Sequence, residues 1–203
     1  MKMKFAFLVF LAFGFGTIVT AQDKSKLEKA CLDLFKNVSL PVEFTNSDNG
    51  IQSPEQNALT SEMQEKILSM GGFDDEGFGM HIGAAGKVEL SKGIYLLMYS
   101  TLVVPVPSHM DEYSFAIYKE GSYKLENITD LAYTRGGAGM DEGVLTVKIT
   151  KNGSSLDLAF KLDSKKSIET DYGLDYGPQE TYSWTHSVDS TGKLKLGKKT
   201  KLK

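Results

Sequence analysis

From Phe78 onward apolar and polar residues alternate in short runs separated by turn residues, the period that sends one set of side chains inward and the next into water. Leu145, Val147 and Ile149 share a face, Asn152-Gly153 supplies a strong hairpin signal, and Leu156, Leu158, Phe160 and Leu162 return with the same spacing. Tyr182, Trp184, His186 and Val188 alternate likewise before Asp189-Ser190-Thr191-Gly192 turns the chain. Tyr113 to Tyr118 and Tyr123 to Leu131 flank another turn at Lys119-Glu120-Gly121-Ser122. Gly93 to Val104 is rich in Ile, Leu, Tyr and Val, and Pro105-Val106-Pro107 stops regular pairing beyond it, because proline offers no amide to a ladder. Hairpins joined by short connections predict an antiparallel meander. Its twist would curl it into a sandwich, a half-barrel or a closed barrel.

Before Phe78 the period is helical. Leu27, Ala30, Cys31, Leu34 and Phe35 fall on one stripe of a helix. Past Pro41, Val42 to Thr45 reads as a short strand. Ser53-Pro54-Glu55-Gln56 has the capping chemistry of a helix start, Leu59, Met63, Ile67 and Leu68 form its stripe, and Gly71-Gly72 ends it. A restart capped by Thr60 or Ser61 fits equally well. The fold class expected is α+β, mainly β, with two amino-terminal amphipathic helices packed on an antiparallel β-meander.

The first residues belong to neither pattern. Lys2 and Lys4 precede an apolar run from Phe5 to Ala12 that continues to Val19, and Val19-Thr20-Ala21 offers the small residues of a cleavage site. Residues 1–21 therefore read as a signal peptide and residues 22–203 as a single β-rich domain, exported to the periplasm or secreted. A membrane-spanning helix needs roughly 20 apolar residues; this run falls short, and no later segment is apolar for long enough.

Composition narrows the function classes. The formal net charge is −3, and losing Lys2 and Lys4 makes it more negative, so nothing advertises nucleic-acid binding. Cys31 is the single cysteine, which excludes an intramolecular disulfide, and its place in the helical stripe marks it as core. Lysines crowd residues 193–203, alternating with Leu194, Leu196, Thr200 and Leu202. An extended edge strand there would turn its leucines inward and most lysines outward, which deters pairing with other chains; the rival reading is a basic tail that meets an anionic surface.

Familiar catalytic signatures are missing, and no catalytic residue, cofactor or metal ligand is assigned. His81, His109 and His186 are isolated in sequence, without metal-ligand spacing. Asp74-Asp75-Glu76 and the segment Asp171 to Gly177 are acidic but lack a calcium-loop pattern, so both read as solvated loops. The glycine-rich stretch Arg135 to Gly143 precedes a strand rather than a helix, so it reads as a hairpin connection with Arg135 available to grip a ligand. Tyr172, Tyr176, Tyr182 and Trp184 lie close together beside polar residues, offering flat contact area with a hydrogen-bonding edge. Tyr172, Tyr176, Trp184 and Arg135 are the candidate ligand-binding residues, with core packing the competing role for Trp184.

Asp189-Ser190-Thr191 resembles the short O-glycosylation motif of exported Bacteroidota proteins, and the leader ending Ala21-Gln22 resembles theirs. Gly93 to Tyr99 followed by Tyr113 to Tyr118 resembles the strand pattern of uncharacterised exported β-rich proteins of that phylum. The resemblance implies an envelope protein and transfers no functional residue. The expectation is a noncatalytic binding or interaction module taking a protein, peptide or glycan ligand on a sheet face or on the loops around Gly136 and Tyr176. The alternatives are a hydrolase built from His186, His109, Asp171 and Asp175, and a structural envelope component touching its partner through the lysine-rich segment.

Overall fold

Which faces of a strand are covered decides how its sequence reads, and here the two larger sheets differ in coverage. The computed structural model describes residues 23–45, 57–70, 79–104, 111–128, 142–170 and 173–203; the expected leader, Arg135 and Tyr172 lie outside them. In chain order the elements are helix α1 (residues 23–34), β1 (Val42–Thr45), α2 (Ser61–Lys66), β2 (Gly79–Ser91), β3 (Ile94–Val104), β4 (Asp111–Lys119), β5 (Leu125–Asn127), β6 (Glu142–Asn152), β7 (Ser155–Lys165), β8 (Ser167–Thr170), β9 (Gly173–Tyr176), β10 (Glu180–Val188), β11 (Leu194–Lys195) and β12 (Thr200–Lys201).

The chain is mainly β and its sheets are antiparallel, but they do not form one continuous meander. β2, β3, β4 and β5 are successive neighbours in a first sheet, while the second runs β1-β6-β7-β10-β11 with β12 also on β10. β8 and β9 make a separate two-stranded hairpin, and among the described residues the sheets do not close into a barrel.

One core lies between the two sheets. Leu96 and Met98 of β3, and Phe115 and Ile117 of β4, pack with Leu145, Val147, Ile149, Leu158, Phe160, Leu162 and Trp184 of the second sheet. A second core lies on the opposite face of β3 and β4, where Leu97, Tyr99, Ala116 and Tyr118 meet Cys31, Leu32 and Phe35 of the α1 segment and Leu59, Ile67 and Leu68 around α2. β3 is thus buried on both faces, which explains its unbroken apolar run. β6, β7 and β10 are buried on one face only, and their sequences alternate accordingly.

The α1 stripe differs from expectation in detail. Leu27 and Leu34 pack half-buried on this core, Ala30 is exposed, and the buried positions are Glu28, Cys31, Leu32 and Phe35. A carboxylate enters the apolar contact because its partners are waiting: Glu28 Oε1 accepts from the Tyr118 hydroxyl at 2.5 Å and from the Gly121 amide at 2.7 Å. Lys87 Nζ donates to the Leu32 carbonyl at 2.7 Å, answering one of the carbonyls a helix end leaves open. Cys31 is fully buried, and burial first, then the nearby Glu28, pushes its thiol up to about 12. For α2, the start at Thr60 is the one observed: its side chain accepts from the Met63 amide at 3.2 Å. The alternative start at Ser53 to Gln56, like the stop at Gly71-Gly72, lies outside the described residues.

One turn expectation and one strand expectation shift in detail. Asn152 pairs with Ser155, so the central turn residues are Gly153 and Ser154 rather than Asn152-Gly153. Gly153 has φ of +60° and Ser154 is not in the positive region, the pattern of a turn that needs glycine at its first central position. The lysine-rich segment is not one strand with inward leucines. Leu194 is half-buried on the inter-sheet core, but Leu196 and Leu202 are exposed. The reason is Gly197, which donates its amide to His186 Nδ1 at 3.0 Å and lies so close to β10 that a side chain there would fall on the Thr185 carbonyl. This contact interrupts the ladder between β11 and β12 and breaks the alternation.

Candidate binding site

The outer face of the second sheet is built from small polar residues, because the alternation that buries Leu145, Phe160 and Trp184 sends their neighbours to water. Thr146, Lys161 and Ser183 are cross-strand partners in one row; Val144, Asp163 and Thr181 form the next. Hydroxyls knit this face together: Thr181 Oγ1 donates to Asp163 Oδ1 at 2.6 Å, and Ser187 Oγ donates to Asp157 Oδ1 at 2.9 Å.

At the end of this face a depression of about 250 Å³ is lined by Gly143, Val144, Asp163, Lys165 and Gln179. Three strand ends converge there: the start of β6, the end of β7 and the residue before β10. Asp163 Oδ2 accepts from Lys161 Nζ at 2.7 Å. The bond from Lys161 first, and that from Thr181 second, hold its carboxyl below the usual aspartate range, so it is ionised at neutral pH. Val144 is 40% exposed, an apolar floor beside these polar groups. The hairpin β8–β9 rises from the same place, since Lys165 leads into it and Gln179 follows it. Its root is pinned by the Gly177 amide donating to the Lys166 carbonyl at 2.9 Å. Ile168 and Tyr176, at 46% and 39% exposed, stand on this hairpin.

The aromatic cluster expected from the sequence is therefore split. Tyr176 is at the surface, paired in register with Ser167. Trp184 is not part of a surface patch: it is buried and stacked on Phe160, ring centroids 5.2 Å apart and nearly parallel. The cause is its phase on β10, which places it opposite Phe160 on the core face. Tyr182 is half-buried, with Lys199 Nζ 4.5 Å from its ring centroid and 5.2 Å from that of Trp184. Arg135 and Tyr172 lie outside the described residues.

Of the residues weighed for hydrolysis, His186 and Asp175 are described, one buried and the other exposed. His186 is buried at 7% exposed, against the Phe160 ring and accepting from the Gly197 amide. Asp175 is exposed, with Oδ1 accepting from the Tyr176 amide. His109 and Asp171 lie outside the described residues, as do Asp74 to Glu76. Among the described residues no three His, Cys, Asp or Glu side chains converge in a way that could hold a metal ion, and no helix is long and apolar enough to cross a membrane.

Sequence reasoning missed Val144, Asp163, Lys165 and Gln179. The outward phase of Asp157, Lys161 and Asp163 was visible in the alternation of β7. Their meeting with Val144 and Gln179 depends on strand register, which alternation alone does not give.

Chemically the depression presents an ionised acceptor, an amide with both donor and acceptor atoms, an ammonium group and an exposed apolar side chain. Such a set can hold hydroxyl or amide groups of a ligand. Comparisons with protein-family models, with curated proteins and with solved structures give no match.

Proposed function

We propose that this chain is a noncatalytic binding module of the cell envelope, exported by its apolar leader to the periplasm or beyond, that takes a glycan or peptide segment in the depression at the root of hairpin β8–β9. The observation that carries the reading is the joining of Asp163, Gln179 and Lys165 around exposed Val144, with Tyr176 and Ile168 exposed on the hairpin that connects Lys165 to Gln179. Polar groups that converge on a concave apolar floor orient a ligand, and the exposed ring adds contact area at little cost in side-chain entropy. Export and an envelope setting are supported by the sequence of residues 1–21 and by the resemblance to exported Bacteroidota proteins.

The test is to screen the chain from Gln22 onward on glycan and peptide arrays, then to titrate the selected ligand against wild type, Asp163→Ala and Tyr176→Ala. Each substitution is expected to weaken binding by roughly tenfold or more, the loss of one charge-assisted hydrogen bond or one aromatic contact, with unchanged thermal unfolding for Tyr176→Ala. A screen without any selective ligand overturns the proposal. So does a ligand held equally by all three proteins.

A further inference from the structure

Outside β10 lies a ribbon of which the core takes up Leu194 but neither Leu196 nor Leu202. Residues 193–203 hold six lysines and no acidic residue, in a chain whose formal charge is negative. Pairing with β10 turns Leu194 toward the inter-sheet core, but the interruption at Gly197 leaves Leu196 and Leu202 exposed at 62% and 61%. They are the most exposed large apolar side chains among the described residues. Lys195, Lys198 and Lys203 are exposed on the same ribbon, and none forms an ion pair among the described residues. Lys201 is engaged by Glu180, and Lys199 lies over the rings of Tyr182 and Trp184.

Cations alone would fit any polyanion. Leucines alone would fit any apolar partner. The two interleaved on a short edge fit an interface where phosphates lie just above hydrocarbon. A second copy of the chain is disfavoured as occupant, because like-charged lysines along an edge repel strand pairing. A soluble polyanion would neutralise the lysines and leave both leucines in water. We infer that residues 193–203 dock this protein on an anionic bilayer surface, with Lys195, Lys198 and Lys203 against lipid phosphates and Leu196 and Leu202 entering the boundary between headgroups and acyl chains. The end of this ribbon adjoins the depression, since Leu202 donates its amide to the carbonyl of Thr181, whose hydroxyl is bonded to Asp163, but the inference does not rest on a ligand being held there.

The chain from Gln22 onward contains every described residue and omits the apolar run that would itself partition into lipid, so it is the protein to test. It is sedimented with phosphatidylcholine vesicles that either lack or contain roughly one third phosphatidylglycerol. Binding to the anionic vesicles alone is expected, fading as salt rises from about 0.1 M to about 0.5 M. Replacing Lys195, Lys198 and Lys203 by alanine is expected to weaken it on the order of a hundredfold, about fivefold for each lysine. The Leu196→Ser, Leu202→Ser double variant is expected to bind the same vesicles about tenfold more weakly with unchanged thermal unfolding, since both side chains already face water in the free protein. Wild-type protein left in the supernatant overturns the inference. Equal vesicle binding by wild type and the leucine variant also overturns it; heparin bound as tightly as vesicles would then mark the ribbon as a site for soluble polyanions.

Discussion

Replacing Glu28 by alanine probes how α1 is held on the first sheet. The carboxylate is 8% exposed and Tyr118 fully buried, and the single oxygen Oε1 takes both the Tyr118 hydroxyl and the Gly121 amide. Burial first, and then the bond to Glu28, raise the Tyr118 hydroxyl far above its ordinary range, so it remains a donor at every working pH. Hydrogen bonds to a charged group contribute about 1.5–3 kcal/mol each. Taking about 2 for the buried tyrosine bond and about 1.5 for the half-buried amide, Glu28→Ala should cost about 3.5 kcal/mol, against a total stability of about 5–15 kcal/mol for a domain. Tyr118→Phe removes only the shared bond and should cost about 2 kcal/mol. The double variant should then be no worse than Glu28→Ala, giving a coupling energy of about 2 kcal/mol. Urea unfolding followed by the fluorescence of Trp184, the single tryptophan, measures all four proteins, provided their denaturant slopes agree. Costs that simply add, or a Glu28→Ala penalty under about 1 kcal/mol, would refute the reasoning.

Two further outcomes follow from other contacts. Gly197→Ala should cost about 1–3 kcal/mol and speed hydrogen exchange at the 197 amide, because the new methyl would fall on the Thr185 carbonyl and force the ribbon off His186; a fully stable variant with a protected amide would contradict the tight contact. Asp163 has a depressed folded-state value, so the stability it contributes is fully present above the ordinary aspartate value and fades as pH falls through the lower, folded one. Unfolding midpoints of wild type and Asp163→Asn should therefore differ at neutral pH and converge in strong acid, and a gap that widens with acid would reverse the sign.

The parts of the fold that could be read in advance are those where one sheet face meets water. β6, β7 and β10 alternate because the second sheet is covered on one side only, and Leu145, Val147, Ile149, Leu158 and Phe160 all fall inward as their spacing requires. β3 carries no such record: with a core on each side, Leu96, Leu97 and Met98 are all buried, and nothing in their order says which sheet or helix each one meets. Glu28 was unreadable for a related reason. Its partner Tyr118 is 90 residues away, so a charged residue inside an apolar stripe looked like an outward position. In residues 193–203 the alternation was present but did not govern, because the approach of Gly197 to Thr185 resets the phase between β11 and β12. The candidate site was legible only in part. Tyr176 is exposed on the adjoining hairpin, whereas Asp163, Val144 and Gln179 come from three different segments.

The placement of β1 bears on how the molecule assembles. This short strand takes the edge position beside β6, so that Thr45 and Thr146 face each other across 101 residues of sequence. The hairpins β2–β3 and β6–β7 can zip from local encounters within microseconds, whereas β1 has no mate until a hundred residues more of the chain are present. Closing so long a loop is slow relative to local pairing. A segment presented early and claimed late can be taken by a neighbouring copy, which makes strand exchange between chains the assembly error to which this topology is most open.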